Sequence, residues 1–183
     1  MSKLLLIVDP QYDFIDGSLP VEGAGDAMSH LADFINGSND YIFALVTTDW
    51  HPWHHTSFVD EGGEWPRHCV QNTTGAAIYQ AIVDALNENN IDYDVLRKGN
   101  EEDREEYSVF KNAESAEHFK RVVTSYKIDQ IDICGIAGDI CVLNTLKDGI
   151  KIFGKEIFHV LEEYCPSIDK GTALHNFIED EGL

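Results

Sequence analysis

The sequence predicts an α/β protein, a three-layer arrangement in which an open, mostly parallel sheet carries helices on both faces. Two observations lead there. Apolar runs of strand length alternate with stretches of helical period along the chain. The strand candidates are continuously apolar rather than alternating, the mark of strands buried on both faces. The length of 183 residues suits one domain with a full core, so residues 1–183 are expected to form a single unit.

The elements follow in order. Leu4–Val8 reads as the first strand. An apolar segment so near the start invites comparison with a secretory signal. Its run stops at Asp9, however, and no small-residue cleavage site follows, so the expected location is the cytoplasm. Met28, Leu31, Ala32 and Ile35 mark one face of a helix that Gly37 is expected to end. Tyr41–Thr48 is a second buried strand. Ile78, Ile82, Val83 and Leu86 lie on a second helix, which leads to a strand at Tyr93–Arg97. Phe119, Val122, Val123 and Tyr126 lie on a third, followed by a strand at Ile131–Ile136. A fourth helix begins near Cys141 with Val142, Thr145 and Leu146 inward, then a strand at Glu156–Leu161. Ser167–Asp180 reads as a last helix, with Leu174, Phe177 and Ile178 facing the core. Two long irregular stretches, Asp49–Thr74 and Gly99–Asn112, remain, and loops of that length are functional or disordered. The first contains all three tryptophans and four of the eight histidines, a composition foreign to disorder.

The acidic residues outnumber the basic ones 33 to 13, a formal charge of −20. Such a surface repels phosphate backbones and anionic lipid, which excludes nucleic acid and membrane as natural partners. Cys69, Cys134, Cys141 and Cys165 show neither the spacing of a disulfide framework nor a Cys-x-x-Cys zinc pair. They are read as free thiols.

Parallel sheets bind ligands beyond the carboxyl ends of their strands. Here those ends carry Asp9, Asp49, Lys98 and the Gly135–Cys141 turn. Any one of these polar residues can equally be a helix cap; four at one edge point to a site. Cys141 follows a small-residue turn into a helix, where the dipole and free N–H groups favour a thiolate and can hold an oxyanion. Cys134 and Cys165 fit the ordinary role of a buried structural cysteine. Asp9 is a candidate proton acceptor and Lys98 a candidate stabiliser of the thiolate, provided their strands are neighbours. Asp49-Trp50-His51 puts a carboxylate and an imidazole on one side of a strand end, and His68 lies downstream in the same loop. One oxygen and two nitrogens describe a metal site with open positions. His54, His55, Glu61 and Glu64 are candidates for a further ligand. Phe14, Trp65 and Tyr107 are aromatics beside these loops, placed either to sandwich a flat ring or to fill core.

These segments together resemble the nicotinamidase branch of the isochorismatase-like cysteine hydrolases. The resemblance runs from Leu5 to about Gly149. It is carried by Ile7–Phe14, Gly17–Val21, Thr48–Phe58, Trp65–Val70, Lys98-Gly99 with Tyr107–Phe110, and Gly135–Val142. It implies a Rossmann-like fold and hydrolysis of nicotinamide to nicotinate and ammonia through a thioester on Cys141, in NAD salvage. Asp9 is then general base and acid, and Lys98 the third member of the triad. Asp49, His51 and His68 hold one divalent metal (Zn2+, Fe2+ or Mn2+), with His55 aligned to an extra ligand used by some members. Ala137 and Cys141 supply backbone N–H groups to the oxyanion, after a cis peptide at Ile136–Ala137. Phe14, Trp65 and Tyr107 wall the pocket. A homo-oligomer is compatible with this reading. Two positions depart from the pattern: Gly138 stands where members often carry a hydroxyl residue, and Arg67 replaces a common proline. The nearest alternative is an amidase of the same superfamily acting on N-carbamoyl, ureido or other carboxamide compounds, whose members typically lack the Asp-x-His…His set. Isochorismatase itself fits less well, since that branch works without the cysteine. A non-catalytic metal-binding scaffold predicts no unusually reactive thiol. A flavodoxin-like ligand-binding domain predicts a phosphate-cradling loop after the first strand, which Asp9–Asp13 is not.

Overall fold

A computed structural model describes residues 2–38 and 40–183. Five parallel strands form one sheet: β1 Lys3–Val8, β2 Tyr41–Asp49, β3 Tyr93–Lys98, β4 Gln130–Gly135 and β5 Phe158–Val160, in the order β3-β2-β1-β4-β5. The central strand β1 exposes none of Leu4–Val8. Burying each such side chain contributes roughly 1.5–3 kcal/mol, which is why this continuous apolar run becomes the axis of the fold. The helices are α1 Tyr12–Ile15, α2 Ala24–Gly37, α3 Gln80–Glu88, α4 Ala113–Ser125, α5 Leu143–Phe153 and α6 Thr172–Glu181. α2 and α3, the connections that carry the chain from β1 to β3, pack on each other. α4 and α5, which lead to β4 and β5, are linked by the aromatic cluster Phe110–Phe119–Phe153. Right-handed crossovers place the two groups on opposite faces. No helix among the described residues is long and apolar enough to cross a membrane.

The differences from expectation are local and have physical causes. The end of α2 is not among them: the helix stops at Gly37, where the sequence puts it, and Ser38 is already extended. Ile78 precedes α3 and bridges to Gln11. α5 starts at Leu143, because Gly138–Val142 forms one wide π-helical turn that contains Cys141. β5 is shorter than the strand expected: Gly154 takes a positive φ of 85° and Lys155–Ile157 coil into a 3-10 turn before Phe158. The last helix begins at Thr172, after a left-handed Gly171 (φ 88°), so that Ser167–Lys170 lies outside it. The short α1 was not foreseen.

Candidate active site

The chain reverses its direction of winding between β1 and β4, the crevice where open parallel sheets bind ligands. Four strand ends meet there. Asp49 pairs in register with Lys98 across β2 and β3, and Val8 with Gly135 across β1 and β4. Asp9 leaves β1 in a left-handed conformation (φ 47°), one that Asp tolerates better than bulkier residues. Lys98 is fully buried. Its ammonium donates to Asp49 Oδ1 at 2.5 Å and Cys141 Sγ at 3.5 Å, and stands 2.8 Å from Asp9 Oδ2. Asp9, Asp49 and Cys141 each place a ligand atom within 4.8 Å of the other two. The structure thus brings Asp9, Lys98 and Cys141 together, and adds Asp49 to Lys98 as a second counter-ion.

Burial and charge set the protonation of this cluster. Burial lifts the Asp9 carboxyl above the usual carboxylate range, and Lys98 only partly offsets it. Burial also opposes ionisation of Asp49, but Lys98 and His51 outweigh it and hold that carboxyl well below its usual range. Burial works against the Lys98 charge as well; Asp49 and Asp9 overcome it, so the ammonium persists well above the ordinary lysine range. The Cys141 thiol is pushed well up by burial, against the pull of Lys98. Burial thus works against a thiolate at Cys141 and the Lys98 ammonium works for it.

Asp49, His51 and His68 are buried and offer ligand atoms within 4.8 Å of one another. His51 Nε2 lies 3.6 Å and His68 Nε2 3.9 Å from Asp49 Oδ2. Each ring is oriented through its other nitrogen, His51 Nδ1 on Gly99 O at 2.9 Å and His68 Nδ1 on Pro66 O at 2.7 Å. His51 Nε2 is buried without a hydrogen-bond partner, a cost that a bound cation removes. Donor set, orientation and the orphaned nitrogen all fit a divalent metal with open positions. His55 does not join them. It stacks on His51 with ring centroids 4.0 Å apart, and both its nitrogens are engaged, Nδ1 with Ser57 Oγ at 2.6 Å and Nε2 with Arg104 O at 2.9 Å. His54 and Glu61 pair with each other at 2.7 Å near the surface, and Glu64 is exposed.

The cluster opens into a pocket of about 360 Å³ of free space, its mouth included. Phe14, Trp65 and Tyr107 line it, with Trp65 Nε1 donating to Tyr107 Oη at 3.0 Å. Asp49, His68 and Cys141 lie in its wall, so both chemistries face one space. Leu19, Val21, Ile140 and Ile168 complete the apolar lining and were not anticipated. Ala137 also lines it, and the peptide between Ile136 and Ala137 is cis.

Several supporting residues escaped sequence reasoning. Thr47 Oγ1 donates to Asp9 Oδ1 at 2.6 Å. Gln11 grips the Asp49 peptide from both sides, accepting its N–H and donating to its carbonyl at 2.8 Å each. Buried Glu106 accepts the Gly99 N–H at 2.8 Å, and Gly99 in turn holds His51. Gly99 is left-handed (φ 62°), and a Cβ there would come within 2.5 Å of the His51 ring. Asp13 accepts the Cys69 N–H at 2.7 Å, beside His68. The one available signal was a polar residue within or next to an apolar strand or a glycine turn.

A family model described as isochorismatase domain matches residues 3–170. The nicotinamidase/pyrazinamidase of Mycobacterium tuberculosis is 31% identical over 154 residues, which span 81% of this chain and 79% of that protein. The crystal structure of PnC1 from L. infantum in complex with nicotinate is similar with a TM-score of 0.84 and 28% identity, covering 100% of this chain and 90% of that one. The pyrazinamidase of Pyrococcus horikoshii in complex with zinc is similar with a TM-score of 0.78 and 28% identity, covering 100% and 97%. With a family model that spans residues 3–170, the whole sheet included, and a relative 31% identical over 81% of this chain, the chain belongs to the isochorismatase domain family.

Proposed function

We propose that the protein is a metal-dependent cysteine amidohydrolase that converts nicotinamide and water to nicotinate and ammonia, working as one hydrolase domain in NAD salvage in the cytoplasm. The observation that carries this reading is that the Asp9–Lys98–Cys141 cluster and the Asp49–His51–His68 group open on one aromatic pocket. The nicotinate bound to the L. infantum protein and the zinc bound to the P. horikoshii protein support it.

The chain's residues divide the work as follows. Asp9, with its carboxyl lifted by burial, takes the Cys141 proton as Sγ attacks the carboxamide carbon. The N–H groups of Ala137 and Cys141 receive the developing oxyanion. Asp9 then protonates the amide nitrogen, ammonia leaves and a thioester remains on Cys141. In the second half Asp9 takes a proton from water as its oxygen attacks the thioester. Nicotinate leaves and the proton returns to Sγ. Lys98 keeps its charge throughout and balances whichever of Asp9 and Cys141 is ionised. Asp49, His51 and His68 would hold the divalent ion (zinc, iron or manganese), whose chemistry would be to place the substrate ring as a Lewis acid. Phe14, Trp65 and Tyr107 bracket the ring's faces. Self-association into a homo-oligomer is compatible with this scheme and not required by it.

The test is ammonia release from nicotinamide by wild type, Cys141→Ala and chelator-treated protein, the last reloaded with zinc, iron or manganese in turn. Release by wild type alone, restored by one of the ions, is expected. Activity that survives chelation removes the metal from the scheme. Hydrolysis of N-carbamoyl compounds in place of nicotinamide overturns the substrate assignment.

A further inference from the structure

Ile168 has no part in this chemistry, yet it lines the pocket alongside Ala137, Ile140 and Cys141 while remaining 50% exposed. A large apolar side chain half in water beside a reaction centre invites a reason. Its backbone is not a loose tail. Gly138 N–H donates to Pro166 O at 2.9 Å. The Asp139 carboxylate accepts the N–H of Ile168 on one oxygen and that of Asp169 on the other, each at 3.0 Å. Ser167 is buried, donates to Cys165 O at 3.0 Å, and lodges where a side chain at position 138 would stand. A Cβ on Gly138 would come within 2.3 Å of Ser167 Oγ and 2.6 Å of Cys165 O. The missing side chain at 138 is thus the condition for docking this segment against the nucleophile turn.

We propose, building on the carboxamide reading of the pocket, that Cys165–Asp169 is a specificity wall in which Ile168 limits the groups a ring substrate can carry. Gly138 and Asp139 act as positioning residues that hold the wall against the turn bearing Cys141. The wall is apolar and shaped by one branched side chain, so it discriminates by size rather than by charge. The substrates it sorts are flat heteroaromatic carboxamides with and without an alkyl group on the ring.

Two assays test this. In the first, kcat/KM is compared for nicotinamide and for its 5-methyl and 6-methyl derivatives. Ile168→Ala is expected to raise the preference for the better-accepted methyl derivative by about tenfold or more, the scale on which an apolar pocket senses one methylene. Ile168→Phe is expected to lower it, and Asp139→Ala, which frees both strap N–H groups, to shift it part of the way toward Ile168→Ala. The second assay needs no amide hydrolysis: alkylation of Cys141 by iodoacetamide and by its N-benzyl analogue, followed by mass spectrometry. Ile168→Ala is expected to speed the bulky reagent selectively. Ratios that ignore Ile168 in both assays overturn the wall, whatever the activity on nicotinamide. An alkylation ratio that follows Ile168 in a protein inert toward nicotinamide upholds the wall and overturns the substrate reading.

Discussion

Replacing Lys98 with methionine tests the electrostatic core of the site. The substitution keeps most of the side-chain volume and deletes one charge from between two buried carboxylates, 2.8 Å from Asp9 and 2.5 Å from Asp49. Breaking a buried pair by removing one partner costs about 3–5 kcal/mol, because the other charge is left without compensation. Against a typical domain stability of roughly 5–15 kcal/mol, the loss is large. At an m-value of about 2 kcal/mol/M it moves the urea midpoint down by about 1.5–2.5 M. The measurement is equilibrium urea unfolding with chelator present, at pH 8 and pH 5. The sign with pH follows from Asp9. Its folded carboxyl already ionises above its unfolded value, and loss of Lys98 raises it further. A group raised in this way lends stability that is complete below the unfolded value and fades as pH climbs through the folded one. Lys98→Met is therefore expected to lose more stability at pH 8 than at pH 5. Adding Asp9→Asn, which removes one stranded charge, is expected to recover part of the loss. A deficit below about 1 kcal/mol at both pH values, beneath the buried-pair range, would refute the reasoning.

Other outcomes follow from the same geometry. Burial pushes all four thiols up, so what sets Cys141 apart is access and the neighbouring Lys98 ammonium: it alone of the four lines the pocket. Native protein at pH 8 is expected to react with one equivalent of a small thiol reagent, lost in Cys141→Ala; a second fast thiol contradicts this. Glu106→Ala removes the acceptor that fixes Gly99 and, through it, His51. Metal affinity measured by chelator competition is expected to fall about 10–100-fold, the range for residues that orient ligands, and Glu106→Gln, which retains an acceptor, to fall less. His55→Phe keeps a ring against His51 and is expected to bind metal with unchanged stoichiometry by elemental analysis, whereas His51→Ala loses it; a loss of metal in both would place His55 among the ligands.

What could be read from the residues, and what could not, divides along a physical line. Strands buried on both faces announce themselves as apolar runs, and Leu4–Val8 and Tyr41–Thr48 are found within a residue or so of where the pattern puts them. Asp9 and Asp49 stand out because each ends such a run, and Lys98 because it ends the neighbouring edge strand β3. Elements too short for a period stay silent: α1 has four residues, and the wide turn around Cys141 has no pattern of its own. Partnerships that depend on strand order stay silent too. Nothing in Thr47 or Gln11 marks them as partners of Asp9 and Asp49, since the pairs form only once β1 lies beside β2. The contacts of His55 with Ser57 and Arg104 are likewise invisible in the motif, since Arg104 comes from a separate loop. Ile168 was hidden by a helical reading of Ser167–Asp180 that left-handed Gly171 interrupts.

The sheet order β3-β2-β1-β4-β5 also separates the two halves of the site along the chain. Asp49, His51 and His68 belong to one strand end and its loop, braced by Gly99 at the end of β3, so the first three strands contain every part of the metal group. Cys141 arrives only when β4 closes on the other side of β1. The ion-holding group and the nucleophile are thus set by different strands of one sheet. Metal content and thiol reactivity report on different halves of the sheet, the first on β2 and β3 and the second on the packing of β4 against β1.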